Sequence, residues 1–217
     1  MNPWKNKEKV LFEIQRKTSN YQEAKEISKD IDELLGYNCQ AIEQSLVQKE
    51  SKQEWIGLDI QIFQTPYSEI LTMLEFINPK EFDHWIDFGA AYGRMGIVMG
   101  LFYPNMQFTG YEINQARVDE GNRIFKECQL KNVSLECCDI SHQDFQIENA
   151  NVFFIYDFGT RDDIYILLNK LKEKARKQSI KVITRGRGCR QWIMLDFPWL
   201  ASINDPIHFE HWSVFTS

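Results

Sequence analysis

In the first fifty residues, apolar positions recur at three- and four-residue steps. Tyr21, Ala24, Ile27, Ile31, Leu34 and Leu35 fall on one face of a helix. Asn20 followed by Glu23 resembles a capping box, and Gly36 is a good C-terminal stop. A further helix is predicted from about Cys39 to Gln48, ahead of the polar stretch Lys49 to Gln53. Helices this amphipathic bury their apolar face only by lying on something else. Residues 1–60 are therefore expected to form a helical cap across a main domain of residues 61–217.

From about Phe82 the pattern changes, and short apolar runs alternate with helix-length periodic stretches. Strands are predicted at Trp85–Phe88, Gln107–Glu112, Val133–Cys138, Val152–Tyr156 and Ile180–Thr184. Helices are predicted between them at about Arg94–Tyr103, Gln115–Leu130 and Arg161–Lys177. This alternation implies an α/β fold with a mainly parallel sheet covered on both faces. The stretch from Trp199 to the C-terminus has no helix after it and fits a closing pair of strands, the last one antiparallel.

Composition narrows the picture. A chain of 217 residues favours one large domain with an appendage over two full domains. At that size about 70% of the extended-chain surface is buried on folding, so no covalent staple is needed. Lys and Arg number 25 against 31 Asp and Glu, a net charge of −6. Such a surface repels phosphate, so general nucleic-acid or anionic-membrane binding is not expected, although a local basic patch is left open. The five cysteines are odd in number and irregularly spaced. Cys138 and His142 lack the second pair that a tetrahedral metal site needs, so reduced thiols and no metal are expected. Met1 to Lys5 lacks the apolar core of a signal peptide, and no run approaches the roughly 20 apolar residues of a membrane span. The expected location is the cytoplasm.

In such a sheet, ligands sit beyond the carboxyl ends of the strands, where the strand order reverses. The first strand ends in Asp87 and runs through Phe88-Gly89-Ala90-Ala91-Tyr92-Gly93 into a helix whose N-terminal amides are free. The second ends in Glu112, nineteen residues past Gly93, followed by Ile113. A carboxylate there can accept both hydroxyls of a ribose. The third ends in Asp139-Ile140, an acid for an adenine amino group and an apolar side chain for the ring. Three acids in order at three strand ends point to a nucleoside site. The dinucleotide fingerprint G-x-G-x-x-G is broken at Ala91, and Asp87 sets a negative charge where a pyrophosphate would lie. S-adenosyl-L-methionine has no phosphate and offers an ammonium group that Asp87 would favour. NAD(P)H is the outside alternative.

The stretch Asp87-Phe88-Gly89-Ala90-Ala91-Tyr92-Gly93-Arg94, with Glu112 and Asp139, resembles the class I, seven-β-strand, SAM-dependent methyltransferases over roughly Gln64 to the C-terminus. The resemblance implies a Rossmann-like seven-stranded sheet with an antiparallel last strand. It implies S-adenosyl-L-methionine as cofactor, held by Asp87, Gly89, Ala91, Gly93, Glu112, Ile113, Asp139 and Ile140. Gln64-Thr65-Pro66-Tyr67 and the fourth strand, Asn151 to Thr160, are similar to the protein-lysine branch, which would place Gln64, Thr65 and Tyr67 over the methionine end. The Tyr156-Asp157 pair differs from the Asn-Pro-Pro-Tyr motif of amide and adenine methyltransferases.

Methyl transfer needs alignment of acceptor, methyl and sulfur, and a lysine acceptor must also lose a proton. Asp157 is the candidate acceptor-orienting group and Tyr156 its wall or hydrogen-bond partner. The plainer reading is that Asp157 caps the helix beginning near Arg161. Thr65-Pro66 likewise reads as an N-cap and first helical residue. Arg185, Arg187 and Arg190 either grip an anionic group on the acceptor or pair with internal acids such as Asp162 or Asp163. Trp55, Trp192, Trp199 and Trp212 either line an acceptor channel or pack in core and cap. His84 and His142 are expected at the surface or in loops. The function expected is methylation of a protein side chain, lysine foremost. The alternatives are a small-molecule acceptor or a non-catalytic module that binds the cofactor or a partner.

Overall fold

Burial on both sides turns the short apolar runs into a central sheet. The computed structural model describes residues 3–47, 56, 58–81 and 83–217. Its strands are β1 (His84–Phe88), β2 (Gln107–Glu112), β3 (Val133–Cys137), β4 (Val152–Tyr156), β5 (Lys181–Arg185), β6 (Ile207–His208) and β7 (Trp212–Thr216). They lie in the order β3-β2-β1-β4-β5-β7-β6. All neighbours are parallel except β7, which is antiparallel to both β5 and β6. The chain runs outward from β1 through β2 to β3 and then returns to β4, on the other side of β1. In sheets of this kind such a reversal is where a ligand crevice forms, here at the carboxyl ends of β1 and β4.

Alternation along the strands sorts the side chains into two cores. Trp85, Phe108, Phe154 and Ile183 face α1 (Lys7–Gln15), α2 (Tyr21–Leu35), α5 (Tyr67–Ile77), α6 (Arg94–Phe102) and α7 (Gln115–Glu127). Ile86, Phe88, Phe153 and Ile155 face α8 (Arg161–Ala175) and α9 (Arg187–Asp196). Two short helices, α3 (Cys39–Val47) and α4 (Ile60–Phe63), complete the N-terminal helices. The predicted strands agree with those observed to within a residue at each end. The predicted polar stretch from Lys49 to Gln53 lies outside the described residues, as does Trp55.

Several local details depart from the sequence expectation. Asn20 caps α2 by accepting from the Glu23 N–H at 2.9 Å, but the Glu23 carboxylate turns back to Ser19 instead of closing a box. Gly36 ends the helix in the left-handed conformation. Helix α5 starts one residue later than expected, with Pro66 in the cap position and Thr65 ahead of it. The arginine-glycine stretch, for which the sequence predicted no element, is the start of α9. His84, expected at the surface, is the buried first residue of β1, with ring nitrogens 3.1 Å from the Asn149 carbonyl and 3.0 Å from Thr109 Oγ1. His142 does lie in an exposed loop. Trp192 packs near Tyr165, whereas Trp212 stacks on Phe209 within the other core, so these rings do not converge on one channel. No helix among the described residues is long and apolar enough to cross a membrane.

The N-terminal helices are bound to the sheet domain by buried charge as well as by apolar packing. Arg94, the first residue of α6, is 2% exposed. It pairs with Asp32 of α2, donates to Gln61 at 2.9 Å and to the Thr65 carbonyl at 3.3 Å, and lies over the Tyr67 ring. Breaking a buried pair from one side leaves an uncompensated charge and costs about 3–5 kcal/mol. Asp32→Ala is therefore expected to lower the unfolding free energy in urea by that order. A loss below about 1 kcal/mol would mean that Arg94 finds water or another anion.

Candidate cofactor and active site

Beyond Phe88 the chain reverses in a turn clamped to the neighbouring strand. The N–H groups of Gly89 and Ala90 both donate to the Tyr111 carbonyl at 2.9 Å. Gly89 has φ +79°, and a Cβ there would come within 2.9 Å of the Phe158 Cβ. Only glycine satisfies both conditions. Ala91 has φ +47°, so a residue with a side chain sits where the left-handed region favours glycine. Its N–H donates to Glu112 Oε2 at 2.9 Å.

Register decides which side chains share the crevice. Asp87 lies opposite Gly110 on β2 and Phe154 on β4, while Tyr156 lies opposite Arg185 on β5. With a two-residue period, Asp87, Glu112, Tyr156 and Arg185 project from one face at the carboxyl edge.

The two acids nearest the turn meet different surroundings. Glu112 is 3% exposed. It accepts from the N–H groups of Ala91 and Asn114, at 2.9 and 3.0 Å, and has Arg117 Nη1 at 3.6 Å. Asp87 is 6% exposed, and its carboxyl has no hydrogen bond or ion pair among the described residues. Burial, with the Glu112 charge adding to it, pushes its carboxyl up to about 8. At neutral pH Asp87 therefore holds a proton. Gln64, also buried, has neither side-chain amide atom hydrogen-bonded among the described residues. Its position is fixed from both sides. The Ile62 carbonyl accepts from Tyr156 Oη at 3.1 Å, and the Thr65 carbonyl from Arg94 at 3.3 Å. The segment 62–65 thus runs from the end of β4 to the start of α6, past the strand-order reversal. Buried polar groups are nearly always hydrogen-bonded, so an orphan carboxyl and an orphan amide at one switch point call for a ligand.

The other expected residues are spread around this centre. Asp139 is exposed and accepts from the Ser141 N–H and hydroxyl at 3.0 and 2.6 Å, and the hydroxyl bond holds its carboxyl below the usual range. Ile140 is buried, whereas Asp139 past β3 and Ile113 past β2, the latter 50% exposed, leave this side open to solvent. Thr65 is buried. Tyr67 does not point its hydroxyl at the crevice, because the hydroxyl donates to Asp32 at 2.8 Å. Of the Gln64, Thr65 and Tyr67 set, Gln64 presents the unpaired atoms. The Tyr156 ring lies 4.4 Å from the Arg185 guanidinium, which donates to Glu69 at 2.9 and 3.0 Å and to Tyr21 Oη at 2.6 Å. Arg185 is thus paired with Glu69, not with Asp162 or Asp163. Arg190 donates to the Phe209 and Trp212 carbonyls, and Arg187 is exposed. Asp157 caps a helix, but it is α9. Its oxygens accept from the Gly188 and Cys189 N–H groups at 3.1 and 2.8 Å, while Thr160 and Asp163 cap α8.

Sequence reasoning missed Arg117 and Glu43. Arg117 of α7 is 2% exposed and donates twice to Glu43, at 2.9 and 3.0 Å, and Tyr92 Oη donates to the same carboxylate at 2.8 Å. One signal was legible. Cys39, Glu43 and Leu46 form the buried stripe of α3, and an acid on an apolar stripe requires a buried cation.

No model of a known protein family matches the chain. A stretch of 76 residues is 30% identical to the uncharacterized protein RP789 of Rickettsia prowazekii, covering 34% of this chain and 14% of that protein. The crystal structure of a SAM dependent methyltransferase from Aquifex aeolicus is 12% identical over 68% of this chain and 88% of its own, with a TM-score of 0.50. The RNA methyltransferase from Salinibacter ruber, crystallised with S-adenosyl-L-homocysteine, is 20% identical over 70% and 91%, with a TM-score of 0.49. The fold is thus the Rossmann-like, seven-stranded sheet expected from the sequence.

The left-handed Ala91 yields a direct test of the turn. Relief of its Cβ strain is worth about 1–2 kcal/mol. Ala91→Gly is therefore expected to raise the unfolding free energy by about 1 kcal/mol, after the greater freedom of glycine in the unfolded chain is deducted. Destabilisation by that variant in urea titration would show that the Ala91 methyl, packed near Cys39 and Tyr92, contributes more than the strain costs.

Proposed function

We propose that the chain is a SAM-dependent methyltransferase that binds S-adenosyl-L-methionine in the β1–β4 crevice. The observation that carries this reading is the pair of buried, unpartnered groups, Asp87 and Gln64. An amino-acid zwitterion supplies a cation for the first and a carboxylate for the amide donor of the second, so the residues present fit the methionine end of the cofactor. Glu112 is proposed to hold the ribose, and Asp139 with Ile113 and Ile140 the adenine. Gly89, Ala91 and Gly93 form the turn that passes beneath. Thr65 and Tyr67 fix the Gln64 segment to α6 and α2.

When bound, the cofactor supplies an electrophilic methyl on a sulfonium, so the protein's task is alignment and exclusion of water. Tyr156 is proposed as the wall of the acceptor side. Burial raises its phenol, against the pull of Arg185, so it stays neutral at physiological pH. Asp157 is proposed as a positioning residue that holds the first turn of α9 beside that wall. The acceptor proposed is a protein lysine. This finer step is supported by the likeness of Gln64 to Tyr67 and of Asn151 to Thr160 to the protein-lysine branch. The helices α1, α2 and α3 within residues 1–60 are proposed as the cap that shapes the acceptor cleft.

Calorimetry with S-adenosyl-L-homocysteine tests the cofactor reading. An ammonium brought to Asp87 forces a carboxyl near 8 to ionise, so binding at pH 7 is expected to release about one proton to the buffer. The measured enthalpy should follow the ionisation enthalpy of the buffer in wild type and not in Asp87→Asn. Glu112→Ala should weaken binding by about tenfold to a hundredfold, the range for a hydrogen bond to a charged group. No binding by the folded wild-type protein would contradict the reading. Transfer of labelled methyl from the cofactor into cell extract should mark protein, and label found only in RNA or metabolites would overturn the lysine acceptor.

A further inference from the structure

Resting on the cofactor reading, the pattern of burial leads to a second conclusion. The groups assigned to ribose and methionine are covered by the protein itself. Glu112 is 3% exposed, Gln64 4%, Ala91 5% and Asp87 6%. The adenine side, by contrast, is open at Asp139 and Ile113. The cover over the turn comes from the N-terminal helices. Cys39 and Ile42 of α3, with Ile60 and Phe63 of α4, pack on Ala91 and Tyr92, and Phe63 lies 4.8 Å from the Arg117 guanidinium.

Helix α3 is fastened to the sheet domain at its start, where the Asn38 N–H donates to Glu120 of α7 at 2.6 Å, and at its centre by a buried charge. Glu43 takes both hydrogen bonds of the Arg117 fork and a third from Tyr92 Oη, the residue after Ala91 in the turn. The same Arg117 reaches Glu112 at 3.6 Å with its remaining nitrogen. One guanidinium therefore spans the covering helix and the acid assigned to the ribose.

We propose that α3 is a gate over the ribose-binding acid and that the Glu43–Arg117–Tyr92 cluster is its latch. With the latch closed, Glu112 is spent on backbone amides and Arg117. The cofactor reaches it only after α3 disengages. A closed majority state lowers apparent affinity by the fraction that is open, and the observed binding rate levels off at the opening rate as ligand increases.

Stopped-flow tryptophan fluorescence with S-adenosyl-L-homocysteine reads both quantities. In wild type the observed rate should reach a plateau with ligand concentration. Glu43→Gln keeps the shape and removes the charge, and should raise the plateau and tighten the apparent Kd by about tenfold or more, the equivalent of one charge-assisted hydrogen bond. Tyr92→Phe should move both in the same direction by less, and it decides the matter if Glu43→Gln fails to fold by circular dichroism. Unchanged rates, or weaker binding in the variants, would overturn the gate while leaving the cofactor reading intact. Absence of binding by the folded wild type and both variants would overturn both.

Discussion

Two carboxyl groups side by side in a dry crevice cannot both carry charge without compensation, and the architecture of the β1–β2 edge follows from how that conflict is met. Glu112 is compensated by two backbone amides and the nearby Arg117. Asp87, on the same face of the next strand, receives nothing and keeps its proton. A low dielectric makes both states costly to reverse, since an unpaired charge there has no water to fall back on. The proposed cofactor reading rests on that unpaired carboxyl together with Gln64, whose amide donor and acceptor are also unpaired among the described residues.

The covering helices answer a second electrostatic problem. Arg94 is the first residue of α6, and Arg117 lies in the first turn of α7. A helix N-terminus carries partial positive charge and disfavours a cation. Each arginine is also nearly fully buried. Acids from the N-terminal helices, Asp32 and Glu43, neutralise the two in turn. The cap is thus needed electrostatically by the turn-forming segment of the sheet domain, and the turn and its cover form one charged network.

The strand alternation, the sheet order's consequence for ligand placement and the positions of Asp87, Glu112 and Asp139 were legible in the sequence because each rests on local periodicity. What stayed illegible depended on contacts between distant segments. Asp157 reads either as an acceptor-orienting group or as the cap of the helix at Arg161, but Thr160 and Asp163 already cap that helix, and the carboxylate turns to α9, for which the sequence predicted no element. The resemblance to the protein-lysine branch implies Tyr67 over the methionine end, yet Asp32, thirty-five residues earlier, takes its hydroxyl. His84 reads as a loop residue because the strand begins one position earlier than the apolar run, and the Asn149 carbonyl and Thr109 satisfy the ring there.

The charge state of Asp87 tests this account most directly. Carbon-13 NMR of selectively labelled aspartate carboxyls, with Asp87→Asn to assign the signal, follows that one group through a pH titration. In the ligand-free protein it should titrate near 8, and with S-adenosyl-L-homocysteine bound it should be ionised throughout the neutral range. An Asp87 carboxyl that titrates near 4 in the free protein and does not respond to the nucleoside would contradict the account.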